Sequence, residues 1–407
     1  MTEFSVSISS ISKQDSKPLL QSLPPLSLYI HFPWCIRKCP YCDFNSHQLK
    51  QDLDDQAYIA ALLGDLETEL PHIWGRSVHT IFIGGGTPSL ISAPALEQLL
   101  SGIRARVNLL PDAEITLEAN PGTYERQRFA AYAAAGINRL SIGVQSFADD
   151  LLAALGRIHN HHEALAAIQA ALDLFPKVNI DLMYALPGQT LSSAQQDIDT
   201  AIASGVHHIS AYQLTMEPNT PFGHTPPPQL PDDDLSADIE STVLATLQQA
   251  GFEQYETSAF THARHQCQHN LNYWQFGDYI GIGAGAHGKI SSAAGIERTT
   301  RSRHPRDYMQ AMLFDPQAAI NRYVVKAEDL PFEFMMNALR LTNGVPTDWF
   351  HQRTGLTIAQ IQHKLKLAVN RGLLDADPLY LRPTSLGKRF LNDLMTIFLD
   401  EQPKQIK

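Results

Sequence analysis

Three cysteines fall within eight residues, in the run Cys35-Ile36-Arg37-Lys38-Cys39-Pro40-Tyr41-Cys42. The spacing Cys-x3-Cys-x2-Cys puts three thiolates on one short loop. That is enough to hold three corners of an iron–sulfur cube and leave the fourth iron without a protein thiolate. An open coordination position is where a metal centre does chemistry rather than hold structure. The same three thiolates joined by His31 or His47 would make a tetrahedral zinc site, and spacing alone leaves both readings open. Pro33 and Pro40 stiffen the segment. Cys267 stands apart, far along the chain. A secreted disulfide framework would distribute its cysteines, so the clustering points to metal binding in a reducing compartment, the cytoplasm.

The elements that must position this loop repeat one pattern over the first 250 residues. Short apolar, β-rich runs (Leu26–Phe32, Val78–Ile83, Glu114–Glu118, Arg139–Val144, Val178–Met183, His207–Leu214) alternate with helix-like stretches. The helical stretches are Asp55–Leu70, Ala93–Val107, Tyr124–Ala135, His162–Leu174, Leu191–Ser204 and Asp234–Ala250. Six strand–helix units at a spacing of roughly 30 residues predict an α/β fold with a parallel sheet. Distinctive polar or glycine residues sit at the C-terminal ends of successive strands: the cysteine loop, Gly84-Gly85-Gly86-Thr87-Pro88, Glu118, Gln145 and Asp181. In a barrel those ends share one mouth, whereas an open sheet would gather them at one switch point. The expected architecture is therefore a partial six-unit (β/α) barrel over residues 25–250.

Residues 1–24 hold seven serines and are expected to be a disordered leader. Residues 251–325, rich in glycine, histidine and aromatics, are expected to connect the barrel to a small α-rich C-terminal domain over 326–400. Helices are predicted there at Leu330–Leu341, Thr357–Arg371 and Ser385–Leu399, with a short strand at Leu379–Leu381, in a winged-helix-like arrangement. The chain of 407 residues is long enough for more than one domain, and its 44% hydrophobic and 18% charged residues are an ordinary globular balance. The net charge of −11 argues against nucleic-acid binding. No apolar run is long enough to span a bilayer, which leaves peripheral membrane association and a homodimer open.

The cysteine spacing, with an aromatic at Tyr41 and the Gly84–Pro88 run, resembles the radical S-adenosylmethionine enzymes. The resemblance covers Leu26 to about Leu399. It implies a [4Fe-4S] cluster on Cys35, Cys39 and Cys42, whose open iron chelates the amino and carboxylate groups of S-adenosylmethionine. One electron from the cluster then cleaves the sulfonium to a 5′-deoxyadenosyl radical. It further implies cofactor contacts at Tyr29, Tyr41, Gly85, Gly86, Thr87, Glu118 in Leu-Glu-Ala-Asn-Pro, Gln145 in Gly-Val-Gln-Ser-Phe, Arg157 in Gly-Arg-Ile-His, and Asp181 in Asn-Ile-Asp-Leu. The chemistry agrees, because carboxylates accept from an ammonium and ribose hydroxyls, and a guanidinium pairs with a carboxylate.

Within that superfamily the chain resembles the oxygen-independent coproporphyrinogen III oxidase group. True oxidases there usually carry a further cysteine two residues beyond the third, where this chain has Phe44, and a longer structured N-terminal region. The run His269-Asn270-Leu271-Asn272-Tyr273-Trp274 is similar to the heme-binding signature of the group's heme-chaperone branch. It implies heme held by His269, with Asn270, Tyr273 and Trp274 around it, and delivered to respiratory apoproteins. Cluster chemistry would need an electron donor, which is unidentified. His287, on the run Gly281–Gly288, is a rival axial ligand. The alternative function is oxidative decarboxylation of coproporphyrinogen III.

Overall fold

The computed structural model describes Leu20 and residues 22–50, 53–122 and 126–399. The serine-rich leader lies almost wholly outside them, as does Tyr124 at the start of an expected helix. Twelve strands form one sheet. In chain order they are β1 (Leu26–Phe32), β2 (Ser77–Gly85), β3 (Asn108–Ala119), β4 (Arg139–Gln145), β5 (Lys177–Tyr184), β6 (His208–Gln213), β7 (Glu253–Glu256), β8 (Ala259–Thr261), β9 (Asp278–Ile282), β10 (His287–Ser292), β11 (Gly295–Arg301) and β12 (Ile320–Val324). The spatial order is β12-β11-β10-β9-β1-β2-β3-β4-β5-β6-β8-β7. Strands β1 to β6 run parallel, as their alternation with helices predicts, and β9 adds a seventh parallel strand against β1.

Why the sheet curves around a site is written in its alternation. In β1, Leu26, Leu28, Ile30 and Phe32 are at most 1% exposed and share one core with Tyr58, Leu62 and Leu66 of α1 (Asp55–Glu69). The intervening Ser27, Tyr29 and His31 project to the opposite face. A parallel sheet covered on both faces normally reads as continuous apolar runs. Here the inner positions are polar and in register, with Glu118, Ser141, Asn179 and His208 lying side by side on β3 to β6. Asp181 lies one step further along, between Gly143 and Ser210. The barrel lumen is therefore polar along its depth as well as at its mouth.

Local signals start the outer helices. Asp54 caps α1, Ser92 caps α2 (Ala93–Arg104), Asn160 and Glu163 form a capping box on the helix His161–Leu174, and Asp232 caps Asp233–Gln249.

Residues 251–325 build both flanks of the sheet. The hairpin β7–β8 pairs with β6, and β10, β11 and β12 continue antiparallel beyond β9. The glycines of 281–288 serve close packing: a Cβ at Gly281 would collide with the His287 carbonyl, and Gly283 holds φ +103°. After Val325 a second core gathers Phe334, Phe350, Leu394 and Phe398, and it also takes in Phe276 and Ile296 from the sheet side. The expected helix at 357–371 opens as a 3-10 turn, Ile358–Ile361, before Gln362–Asn370. The helix expected at 385–399 breaks at Phe390 into Ser385–Arg389 and Leu391–Thr396. Val345–Pro346 pairs with Tyr380–Leu381 as a small ribbon. Among the described residues, no helix is long and apolar enough to cross a membrane.

Candidate cofactor site and adjoining cavity

The cysteine loop leaves the C-terminal end of β1 and is held by main-chain bonds. His47 N–H donates to Pro33 O at 2.7 Å, and Leu49 N–H to Cys35 O at 2.9 Å. The glycine loop after β2 is strapped to the same segment, with Gly86 N–H to Phe32 O at 2.6 Å and Thr87 N–H to Trp34 O at 2.7 Å. A Cβ on Gly86 would lie 2.5 Å from the Trp34 carbonyl oxygen, so only glycine permits this approach.

Cys35, Cys39 and Cys42 line one small cavity together with Tyr41, Gly85, Gly86, Thr87, Glu118, Gln145, Arg157 and Asp181. Of the expected cofactor contacts, only Tyr29 is outside this lining. The structure also brings in Asn120, Ser141 and Tyr212, which sequence reasoning did not single out. The inward positions of alternating strands were the available signal for Ser141 and Tyr212. Burial pushes the Cys35 and Cys42 thiols up, so a metal must displace their protons on binding.

Arg157 joins three of these elements. Its Nη2 donates to Asn120 Oδ1 and to the Gly143 carbonyl, both at 2.7 Å, and its Nη1 lies 3.6 Å from Cys39 Sγ. Its Nε is buried with no hydrogen-bond partner among the described residues. Asn120 in turn donates to Thr87 Oγ1 at 3.1 Å. At the end of β4, Gln145 takes φ +71°, a strained conformation for a non-glycine residue, and accepts from Tyr212 Oη at 2.9 Å. Glu118 accepts the Gly85 N–H at 3.0 Å. Burial, then the charge of Asp181, pushes its carboxyl up to about 8. Asp181 is raised by burial and opposed by a bond from Asn179 Nδ2 at 2.8 Å.

The donor set suits the implied groups. Among the described residues, no three His, Cys, Asp or Glu side chains converge as a single ion would require. A cube spreads its thiolates over three irons and does not demand such convergence. His31 has both ring nitrogens engaged, Nδ1 with Tyr29 Oη and Nε2 with Asn45 O, each at 2.9 Å. Cys267 is fully buried, and burial lifts its thiol to about 11.

A second cavity, of about 1310 Å³, opens between the barrel mouth, β9 to β12 and the helix Leu330–Ala338. Phe44, Gly85 and Glu118 line both cavities, and Tyr29, Tyr273 and Trp274 line the larger one. His269 does not. It is 0% exposed, with Nδ1 2.8 Å from Thr80 Oγ1, Nε2 3.0 Å from Tyr273 Oη, and its ring against Phe82. Both of its ring nitrogens are engaged inside the protein in the ligand-free chain. Its neighbours in contact are Thr80 and Tyr273 rather than Asn270. Asn272 completes the brace, donating to Ser27 Oγ and the Asp278 carbonyl.

A partial parallel barrel with three thiols on its first loop and a glycine loop on its second defines the radical S-adenosylmethionine class. The family described as "Radical SAM superfamily" matches residues 29–201, and "HemN C-terminal domain" matches 325–390. The chain belongs to the HemW family of heme chaperones. It is 52% identical over 381 residues to "Heme chaperone HemW" of Escherichia coli (strain K12), covering 93% of this chain and 99% of that protein. It is 46% identical to "Heme chaperone HemW" of Haemophilus influenzae, covering 94% and 100%. The structure resembles coproporphyrinogen III oxidase (HemN) from Escherichia coli with a TM-score of 0.79 at 23% identity, covering 92% of this chain and 90% of that one, a likeness of fold.

Proposed function

We propose that this protein is a heme chaperone: it binds heme, holds a [4Fe-4S] cluster on Cys35, Cys39 and Cys42, binds S-adenosylmethionine beside it, and passes heme to respiratory apoproteins. The observation that carries this reading is the shared wall. A cavity large enough for a tetrapyrrole meets the thiol-lined cavity at Phe44, Gly85 and Glu118. Pockets for drug-sized ligands run about 300–1,000 Å³, and this one exceeds that range. The HemW relatives, matched over nearly the whole chain, support the same reading.

When bound, the cluster supplies an electron to the sulfonium of S-adenosylmethionine. The chain's own residues do the positioning. Gly85, Gly86 and Thr87 offer close main-chain approach, and Glu118 and Asp181 accept hydrogen bonds from cationic or hydroxyl groups. Arg157 fixes the Cys39 side of the loop. The proposed compartment is the cytoplasm, consistent with four free cysteines.

The test is anaerobic reconstitution with iron and sulfide, then titration with hemin followed by absorbance, then transfer to an apo-cytochrome of the respiratory chain. A protein that assembles the cluster yet neither binds nor transfers hemin overturns the proposal.

A further inference from the structure

The cysteine loop has an outer side as well as an inner one. Trp34–Cys35 pairs in parallel with His47–Gln48 as a two-residue ribbon. Successive side chains of a strand point to opposite faces. Cys35 therefore turns into the thiol-lined cavity, and Trp34 turns away from it into a separate surface concavity of about 700 Å³. His47 and the start of the helix Pro305–Phe314 close that concavity. Ser46 lines both spaces, and its Oγ lies 3.9 Å from Cys42 Sγ. The wall between the outer concavity and the three thiols is one strand thick. On the inner side the thiols face Gly85, Glu118 and Asp181, where S-adenosylmethionine is proposed to sit. The Trp34 face is left free for electron entry.

That face is cationic, in a chain whose net charge is −11. Lys50 and Arg306 line the concavity, both exposed and without an ion-pair partner among the described residues. His47 reports further positive charge around it. Burial lowers its pKa, a main-chain bond at Arg303 opposes this, and the charges of His304, Lys38 and Arg303 lower it further. The acids nearby are engaged or turned elsewhere. Asp54 caps α1 through the Ala57 N–H at 3.0 Å, Asp307 sits 3.7 Å from His304, and Asp43 lines the larger cavity. A cationic patch on an acidic protein steers an acidic partner to that patch and repels it from the rest of the surface.

We infer that this concavity is the docking surface for the reductant of the cluster, a small acidic electron-carrier protein whose carboxylates meet Lys50 and Arg306. The assignment rests on the cluster of the proposed function and adds where its electron enters. The step moves one electron. The carrier's reduced centre loses it, the oxidised cluster gains it, and no covalent bond forms or breaks.

The test uses the reconstituted full chain and two reductants: an excess of pre-reduced acidic [2Fe-2S] ferredoxin as the protein probe, and an uncharged photoreduced deazaflavin as the small one. Freeze-quenched electron paramagnetic resonance follows the reduced cluster. Lys50→Glu and Arg306→Glu should each slow reduction by ferredoxin about threefold to tenfold at low salt, and the double variant more. The difference should shrink as salt rises and the screening length falls to about 8 Å at about 0.15 M. Deazaflavin rates, and iron and sulfide content, should match wild type in every variant. Lys388→Glu, the same reversal on the C-terminal helix Ser385–Arg389, should leave both rates unchanged. Ferredoxin rates unaltered in the double variant, or slowed equally by Lys388→Glu, overturn the docking surface. So does a wild-type chain that deazaflavin reduces and ferredoxin does not, and so do reversals that abolish only co-sedimentation with anionic lipid vesicles. If the wild-type chain assembles no cluster for deazaflavin to reduce, the cluster reading fails together with the inference.

Discussion

Gly85 donates its main-chain N–H to the Glu118 carboxylate at 3.0 Å, and these two residues face both the thiol-lined cavity and the larger one beside it. Their bond ties the ends of β2 and β3 at the point where two ligands would meet. A change in the charge of Glu118 is therefore felt on both sides.

That carboxyl gives the first prediction. Its pKa in the folded chain is raised from 4.5 to about 8, by burial and by Asp181. The stabilisation of its protonated form is fully present below the ordinary carboxylate range and is lost as pH rises through about 8. Thermal melts of the ligand-free protein should show stability falling from pH 5 to pH 8. Glu118→Gln should flatten that dependence; a slope that persists unchanged in the variant removes Glu118 as its source.

The cluster prediction separates the four thiols. Alanine at Cys35, Cys39 or Cys42 should abolish the visible iron–sulfur absorbance after reconstitution. Cys267→Ala should retain it, because that thiol is fully buried and its pKa is lifted to about 11. Iron and sulfide counts on each purified variant decide the matter.

Arg157 should resist conservative replacement. Its guanidinium reaches Asn120 and the Gly143 carbonyl at once, which an ammonium cannot reproduce. Arg157→Lys should cost about 1–3 kcal/mol of stability by leaving a buried acceptor unmet. It should also release the cluster faster under a chelator. Denaturant melts and chelation kinetics within error of wild type would show that the contact is idle.

Replacing His269 should weaken the fold. His269→Ala strips partners from Thr80 and Tyr273 and opens a void against Phe82, a loss of about 2–4 kcal/mol. Chemical denaturation measures this directly, and an unaltered midpoint would contradict the bracing role.

Coproporphyrinogen III should not be converted at an oxidase-like rate by the reconstituted protein, since Phe44 stands where the oxidases carry their further cysteine. Sustained formation of protoporphyrinogen, followed by fluorescence after oxidation, would return the oxidase reading to first place.

The six parallel strands were legible because period-two apolar patterning and longer helical stretches alternate from Leu26 to Gln249. The cysteine loop and the strand-end residues were legible because their types and spacing are local. Strands β9 to β12 were not, since Gly281 to Gly288 looks flexible in one dimension. Its glycines are required by the approach of β9 to β10, a relation visible only once both strands are placed. The bracing contacts of His269 were hidden for the same reason. Its partner Thr80 lies 189 residues away, on a strand whose inward face cannot be assigned to a neighbour before the barrel closes around it.

The two straps from Phe32 and Trp34 to the glycine loop make the first and second barrel loops one mechanical unit. Ordering the cysteines around a metal core would fix the carbonyls that hold Gly86 and Thr87, and so set the cradle before any ligand enters it. Maturation would then be sequential: inorganic core first, sulfonium ligand second. A chain starved of iron would present a loosened cradle as well as an empty thiol set, so iron supply would govern both occupancies through one short stretch of backbone.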